Sequence, residues 1–188
     1  EALNVAEDGD TIVICGSIQP QKDIVIDNKG SYGNPIIIDL NGKGISFTKR
    51  SDYTVKNGHK LIINNNSFIR IVGSGEITSL YSERYAMTEL LGGTYGTIES
   101  PDGVLNLHAV GYGIKGADGW IENYSTKVLN DVTVQKAPYE IKNIVVTTDP
   151  NGTTDSDTFY TGQKIYIKAT LQLDDGEQPI SSSKPYRV

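Results

Sequence analysis

The sequence predicts an all-β protein, and its longer part predicts a β-solenoid, in which short coils of strands stack on one another. Seven segments between Thr11 and Thr78 are three or four residues long, are rich in β-branched residues, and end near Gly, Asn, Asp or Pro. That pattern is typical of short strands separated by turns. Segments begin at positions 11, 36 and 61, which are evenly spaced along the chain. A constant spacing of this size predicts stacked repeats that bury apolar side chains against one another.

Length and charge narrow the class of protein. A chain of 188 residues suffices for one substantial core, or for one large unit with part of a second. The formal net charge of −6 argues against a nucleic-acid partner and fits a protein that works outside the cell. The sequence has no apolar run of about 18 residues, so we expect no membrane-spanning segment. The first residue is Glu1 rather than Met, which suggests a processed or excised piece.

The first ten residues predict a cap for the near end of the stack. Leu3, Val5 and Ala6 supply apolar side chains ahead of the turn at 8–10. A solenoid needs such a cap because its end exposes apolar side chains and unpaired strands. The run from Ala6 to Ile18, AEDGDTIVICGSI, resembles the opening coil of right-handed parallel β-helices of the pectin-lyase-like superfamily. The resemblance covers roughly positions 1–80 and implies three short parallel sheets.

Two segments inside this region carry further expectations. The side chains of Asn64, Asn65 and Asn66 tolerate left-handed turns and can stack between coils, so we expect a structural turn there. Between Leu80 and Leu91 the apolar spacing is weakly helical, which predicts a loop or one to three helical turns.

Residues 92–136 contain a second set of motifs, GGTYG at 92–96, GYGIK at 111–115, ADGW at 117–120 and LNDVTV at 129–134. These motifs resemble a module of large secreted surface proteins of Firmicutes. They predict the far cap of the stack, with Tyr112 and Trp120 as large apolar plates.

A domain boundary is expected at Ala137-Pro138, because proline cannot donate a hydrogen bond to a sheet. The predicted domains are therefore 1–137, a parallel β-helix with caps at both ends, and 138–188. In the second domain, the run from Tyr160 to Ala169 resembles one strand region of bacterial immunoglobulin-like domains. A complete sandwich of that type needs about 100 residues, so this segment is expected to be a partial immunoglobulin-like β-sandwich.

Two groups of side chains are candidate ligand sites. Four aromatic residues near glycine turns could form a stacking platform for sugar rings: Tyr95, Tyr112, Trp120 and Tyr124. Four oxygen-bearing residues in one polar turn could hold Ca²⁺, although the spacing is not that of an EF-hand: Asp149, Asn151, Asp155 and Asp157. A solvated hairpin tip is the simpler interpretation of that turn. No other cofactor is indicated.

Catalysis would need a different set of residues. The superfamily resemblance implies lyases with carboxylates on Ca²⁺ and an Arg or Lys base, for which Asp27, Asp39 and Arg70 are the candidates. An Asp that ends a strand is more often a turn residue. Cys15 is the only cysteine, which excludes a disulfide within the chain, and we expect it in or beside the first strand.

Three functions fit these patterns. The favoured one is a non-catalytic structural or adhesive segment of a bacterial cell-surface or secreted protein, acting as a rigid stalk or binding face. Its partners would be host or cell-wall glycans, a surface protein, or adjacent domains of a longer chain. The alternatives are a carbohydrate-active or sugar-binding β-helix, and a structural subunit of a phage or filament.

Overall fold

The computed structural model is all-β and contains two compact units, Glu1–Lys136 and Ala137–Val188. It describes residues 1–47, 58–109, 111–121, 125–137, 139–149, 151, 158, 162, 164–173 and 176–179. Among these residues, no helix has the length and apolar character needed to cross a membrane.

The described part of the first unit contains a short helix, α1 (Ala2–Val5), a 3₁₀ turn at Val104–Asn106, and strands β1 to β13. The strands are β1 (Thr11–Val13), β2 (Ile24–Ile26), β3 (Ile36–Asp39), β4 (Gly44–Ile45), β5 (Leu61–Ile63), β6 (Phe68–Val72), β7 (Glu76–Ile77), β8 (Leu80–Ser82), β9 (Met87–Leu91), β10 (Thr94–Glu99), β11 (Tyr112–Gly116), β12 (Gly119–Trp120) and β13 (Val128–Lys136).

The strands from β1 to β10 lie in three parallel columns, and the chain passes through each column in turn. Column A contains β1, β3, β6 and β9, paired in that order. Column B contains β2, β5, β8 and the end of β10. Column C contains Ile18, β4, β7 and the start of β10. Because β10 belongs to both B and C, these two columns join in one sheet.

The interior between the columns is filled by aliphatic side chains. Strands β3 and β6 alternate between buried and half-buried residues, as expected when every second side chain faces a core. Ile38, Ile71 and Leu90 are direct neighbours in column A, and all three are buried. Equivalent rows come from the other columns, such as Ile63 in column B and Ile77 in column C. Each strand therefore covers the apolar side chains of the next.

The even spacing of the segments at 11, 36 and 61 does not describe how the strands pair. Thr11 pairs with Ile37, Ile36 with Ile69, and Phe68 with Met87, so the length of chain between neighbours in column A differs at every step. Leu61, the third member of the predicted series, lies in column B, where it pairs with Ile24. The strands were located correctly from the sequence, but their assignment to one repeat was wrong because the turns between them differ in length.

The expectation of a loop or helix between Leu80 and Leu91 is also wrong. This segment contains β8 and β9, joined by a turn at Arg84-Tyr85. The helical spacing was misleading because the apolar residues divide between two strands. Leu80 faces the interior from column B, and Leu90 faces it from column A.

Residues 111–136 depart from the parallel arrangement expected for the whole of 1–137. Strand β13 is antiparallel to β10 on one side and to β11 on the other, so the larger sheet is mixed. Column A is covered at the same end by Leu107–Ala109, whose backbone pairs with Leu90. The last strand of each column thus has a backbone partner, and of the two predicted plates Tyr112 packs against the core.

The segment predicted to cap the near end contacts the core through some of its apolar side chains. Leu3 packs against the core and Ala6 is buried, whereas Val5 is exposed. The Nζ of Lys29 donates to the carbonyl oxygens of Ala6 at 2.9 Å and Asn4 at 3.4 Å. A cation at these carbonyls satisfies acceptors that the end of α1 leaves free.

The asparagine turn has the structural role expected from the sequence. Asn66 has a φ of 62°, in the left-handed region. Asn64 donates from its side-chain amide to Asp27 Oδ1 in the preceding turn of chain, at 3.3 Å. Asn65 accepts from the backbone N–H of Tyr85 in the following turn, at 3.2 Å. Side chains at this corner therefore connect successive turns of the chain.

Within its described residues, the second unit contains a three-stranded antiparallel sheet in the order β14 (Tyr139–Thr147), β15 (Tyr166–Leu173) and β16 (Gly176–Pro179). The register between β14 and β15 shifts between Lys142 and Val145, as at a β-bulge.

Candidate functional site

A groove with a volume of about 320 Å³ lies in the first unit, where glycine turns of columns A and C meet the end of β13. Pockets that bind small molecules typically have volumes from about this value upward. Its floor comes from the turns at 73–75 and 91–94, and one wall comes from Tyr112 and residues 133–136. We call it the glycine groove.

Three glycine carbonyl groups of the floor already accept hydrogen bonds from within the chain. The Gly75 carbonyl accepts from the backbone N–H of Thr94 at 2.8 Å, and the Gly93 carbonyl accepts from Val134 at 2.9 Å. The Gly92 carbonyl accepts from the Tyr95 hydroxyl at 2.9 Å. Because Gly73, Gly75, Gly92 and Gly93 lack side chains, the floor consists largely of backbone atoms and Cα–H groups.

Close stacking explains why glycine occupies this floor. A Cβ on Gly92 would lie 2.5 Å from the carbonyl oxygen of Gly73 in the preceding turn. No side chain fits at that distance. Glycine at position 92 is therefore required by the packing of successive turns, and the smooth groove surface follows from it.

The wall combines an aromatic ring with a cation. Tyr112 and Lys136 are direct cross-strand partners on β11 and β13, so their side chains project from the same face. That face also carries Ile114 and Val134, two residues further along each strand, and both are buried in the core. Tyr112 is half-buried, whereas Lys136 is exposed and is the only charged side chain among the described residues that line the groove.

The rim of the groove is polar. Ser74 and Thr94 are exposed, and Thr133 is half-buried. The hydroxyl oxygens of Thr94 and Thr133 lie 3.4 Å apart across the pair β10–β13. Gln135 is also exposed beside Lys136 and adds an amide. Thr133 pairs with Lys115 and Gln135 with Gly113, so these two side chains project from the sheet face opposite to Tyr112 and Lys136.

The structure divides the predicted aromatic platform. Tyr112 lines the glycine groove, but Tyr95 is fully buried and belongs to the core. Trp120 pairs with Lys115, three residues from Tyr112 on β11, and so lies on the opposite face of that sheet. Its ring instead covers Gly113, where a Cβ would lie 2.9 Å from the indole. Tyr124 lies outside the described residues.

Tyr95 gives the first unit a distinctive response to alkaline pH. Burial raises the pKa of its hydroxyl well above the usual value of about 10. Above pH ~10 the unfolded chain releases this proton while the folded chain keeps it, so the free energy of unfolding falls as pH rises. Relative to Tyr95→Phe, we expect wild-type stability to fall by about 1.4 kcal/mol per pH unit above that point. Below pH ~10 the difference in the free energy of unfolding between wild type and Tyr95→Phe is constant.

Urea unfolding between pH 8 and pH 11 measures this difference, and the single tryptophan, Trp120, reports on the first unit. Parallel pH profiles for wild type and Tyr95→Phe above pH ~10 would contradict the buried state of this hydroxyl.

The proposed Ca²⁺ turn is described only in part. Asp149 accepts from the backbone N–H of Asn151 at 2.8 Å, and its own N–H donates to the Thr147 hydroxyl at 3.1 Å. Such side-chain bonds are typical of a polar turn. Asp155 and Asp157 lie outside the described residues, so Ca²⁺ binding stays a prediction. Within the part of the chain that the structure describes, no group of three acidic, histidine or cysteine residues could hold a metal ion.

Of the three residues considered for lyase chemistry, Asp39 and Arg70 lie on the same face of the paired strands β3 and β6, whereas Asp27 lies in another column. Asp27 follows β2 in column B, whereas Asp39 and Arg70 belong to column A. Asp39 accepts from the backbone N–H of Asn41 at 2.9 Å, a turn interaction. Arg70 donates from Nε to Glu89 at 2.8 Å in the next turn of the column. Each side chain thus has a structural partner.

Cys15 lies just beyond β1, as expected, but it is exposed rather than packed. Its thiol donates to the carbonyl oxygen of Val13 at a sulfur–oxygen distance of 3.7 Å.

No sequence pattern assigned the glycines or Lys136 to a binding groove, although Gly92 and Gly93 belong to the GGTYG motif. A signal was present, because the same length of chain separates Gly73 from Gly92 as separates the paired residues Phe68 and Met87. Glycines that recur at the length of a turn predict close approach of neighbouring turns.

Comparisons of this chain with protein-family models, with curated proteins and with solved structures find no match.

Proposed function

We propose that residues 1–136 form a short β-solenoid that acts as a rigid, non-catalytic scaffold in a bacterial cell-surface or secreted protein. The observation that carries this proposal is the set of three parallel columns with an aliphatic interior. A stack of this kind gains stability from every contact between neighbouring turns, so it resists bending and local opening. The resemblance of residues 6–18 to pectin-lyase-like β-helices supports the same proposal.

The outward-facing side chains also support a structural role. Arg70 on β6 forms its ion pair with Glu89 directly opposite on β9. Lys60 forms an ion pair with Glu99 at 3.1 Å, and its ammonium lies 5.1 Å from the ring centre of Tyr81. These contacts link successive turns across the surface, and the pair of Lys60 and Glu99 spans the strand β8 that lies between β5 and β10. Each contributes little, up to about 1 kcal/mol, but together they reinforce the order of the stack.

We propose that residues 137–188 belong to an immunoglobulin-like module that follows the scaffold. The three antiparallel strands β14, β15 and β16 support this proposal, together with the resemblance of residues 160–169 to such domains. A scaffold followed by a linker of this kind suits a protein that extends from a bacterial surface toward glycans or a surface protein.

An activity panel separates the scaffold from a carbohydrate-active enzyme. The purified chain is incubated with neutral and acidic polysaccharides, with and without Ca²⁺, and unsaturated products and new reducing ends are measured. We expect no product above a heat-treated control. Turnover that is lost in Arg70→Ala would overturn the proposal, because it would assign chemistry to a side chain that we place in a structural ion pair.

Amide hydrogen exchange tests the scaffold itself. We expect the amides of columns A, B and C to be protected together, because turns that stack cooperatively open as one unit. Protection confined to a few strands would contradict a rigid stack.

A further inference from the structure

We propose that the glycine groove binds a sugar ring that carries one negative charge, either a carboxylate or a phosphate. This inference goes beyond the scaffold role and does not depend on it. It rests on the shape of the floor, the aromatic wall, the polar rim and the cation at the wall.

The floor and the wall fit the apolar face of a sugar ring. A pyranose has C–H groups on its faces and hydroxyls at its edge, and aromatic side chains pack well against such faces. The carbonyls of Gly75, Gly92 and Gly93 are already paired, and the absence of side chains at these glycines leaves room for a ring above their Cα–H groups. The half-buried ring of Tyr112 stands at one side of this floor. A ring that lies on the glycines would therefore contact Tyr112.

The rim fits the hydroxyl groups of such a ring. Ser74 can donate or accept a hydrogen bond, and Thr94, Thr133 and Gln135 add hydroxyl and amide groups from the sheet face opposite to Tyr112 and Lys136. Ligand sites typically combine an apolar lining with a few polar groups that fix orientation. A purely apolar ligand would not use these rim groups.

The charge of the groove selects an acidic sugar. Lys136 is exposed at the wall, and no Asp or Glu is among the described residues that line the groove, although the chain carries a net charge of −6. The cross-strand pairing places Lys136 directly beside Tyr112, so one ligand can contact both the ring and the ammonium. An anionic substituent at the edge of the sugar would pair with this ammonium.

The test uses the full chain with a ¹⁵N label and three probes: methyl glucuronide, glucose 6-phosphate and methyl glucoside. Gly73, Gly75, Gly92 and Gly93 supply amide signals on the floor. We expect both acidic probes to shift these signals, with dissociation constants in the millimolar range, and the neutral probe to bind about fivefold more weakly. A preference between the two acids identifies the source of the charge, and either preference supports the proposal.

Two variants assign the contacts. We expect Lys136→Gln to remove the preference for acidic probes and to leave binding of methyl glucoside unchanged. Lys115→Gln is the matched control. Lys115 lies on β11 and is exposed, as Lys136 is, but it does not line the groove. Tyr112→Leu keeps an apolar side chain against the core, and we expect it to weaken all three probes severalfold.

The proposal is overturned if none of the floor amides shifts with any probe, or if the shifts occur at another surface. Equal binding of acidic and neutral probes, unaffected by Lys136→Gln, would equally overturn it. None of these results bears on the scaffold role, which the activity panel and hydrogen exchange test separately.

Discussion

Replacing Ile71 by alanine is expected to lower the free energy of unfolding of the first unit by about 3–4 kcal/mol. Ile71 is fully buried in the middle of column A, in register between Ile38 and Leu90. The shorter side chain would leave a cavity, and strands paired on both sides of β6 limit how far the walls can relax into it. Because small domains have total stabilities of about 5–15 kcal/mol, this loss is a large share. Urea unfolding followed by Trp120 fluorescence measures it.

Ile62→Ala is the matched control for this prediction. Ile62 lies on β5 in column B but faces outward, and it is half-buried beside Val25 and Tyr81. We expect it to cost about 1 kcal/mol or less. Equal losses for Ile71→Ala and Ile62→Ala would contradict the assignment of Ile71 to the core and of Ile62 to the outward face.

The sequence located most strands because each strand has a local signature. The four residues of β3, Ile36–Asp39, are β-branched except for the last, and they lie between Pro35 and Asn41-Gly42. Such runs favour extended backbone wherever the partner strand lies. Similar local reasoning located the near cap, where Leu3 and Ala6 are the apolar residues that pack inward.

Strand pairing could not be predicted in the same way. Pairing depends on the length of chain in each turn, and the chain from Ile36 to its partner Ile69 is much longer than the chain from Phe68 to its partner Met87. A local sequence pattern does not indicate how long each of these turns is. The even spacing of the strand starts at 11, 36 and 61 therefore suggested one repeat, although these strands belong to two different columns.

The candidate site was only partly predictable because aromatic residues near glycines have several possible environments. Tyr95 and Tyr112 both lie near glycine turns, yet Tyr95 is in the core and Tyr112 lines the groove. Trp120 lies on the other face of the sheet because β12 turns back against β11. Only the antiparallel pairing of β11, β12 and β13 determines which side each ring occupies.

Replacing Gly30 by alanine is expected to destabilise the first unit by about 2–5 kcal/mol. Gly30 lies at the corner between β2 and β3 with a φ of 75°, which costs an L-residue with a side chain about 1–2 kcal/mol. A Cβ there would also overlap the carbonyl oxygen of Phe68 and lie 2.9 Å from the backbone nitrogen of Ile36. Both neighbours are backbone atoms, so relief requires the turns to separate, at a cost of about 1–3 kcal/mol. Urea unfolding followed by Trp120 fluorescence again gives the loss.

Gly33→Ala separates the two contributions within the same connection. Gly33 has a similar φ of 86°, but a Cβ there would meet no atom within 4 Å. Gly33→Ala should therefore lower the free energy of unfolding only through the unfavourable positive φ, by about 1–2 kcal/mol. Part of this loss is offset because alanine restricts the unfolded chain. The additional loss of stability in Gly30→Ala then measures how closely Lys29-Gly30 approaches Phe68. The hydrogen bond from the Phe68 N–H to the Lys29 carbonyl, at 2.8 Å, holds this contact together. Equal losses at the two glycines would show that this corner is open, which is incompatible with the stacking of successive turns on which the scaffold depends.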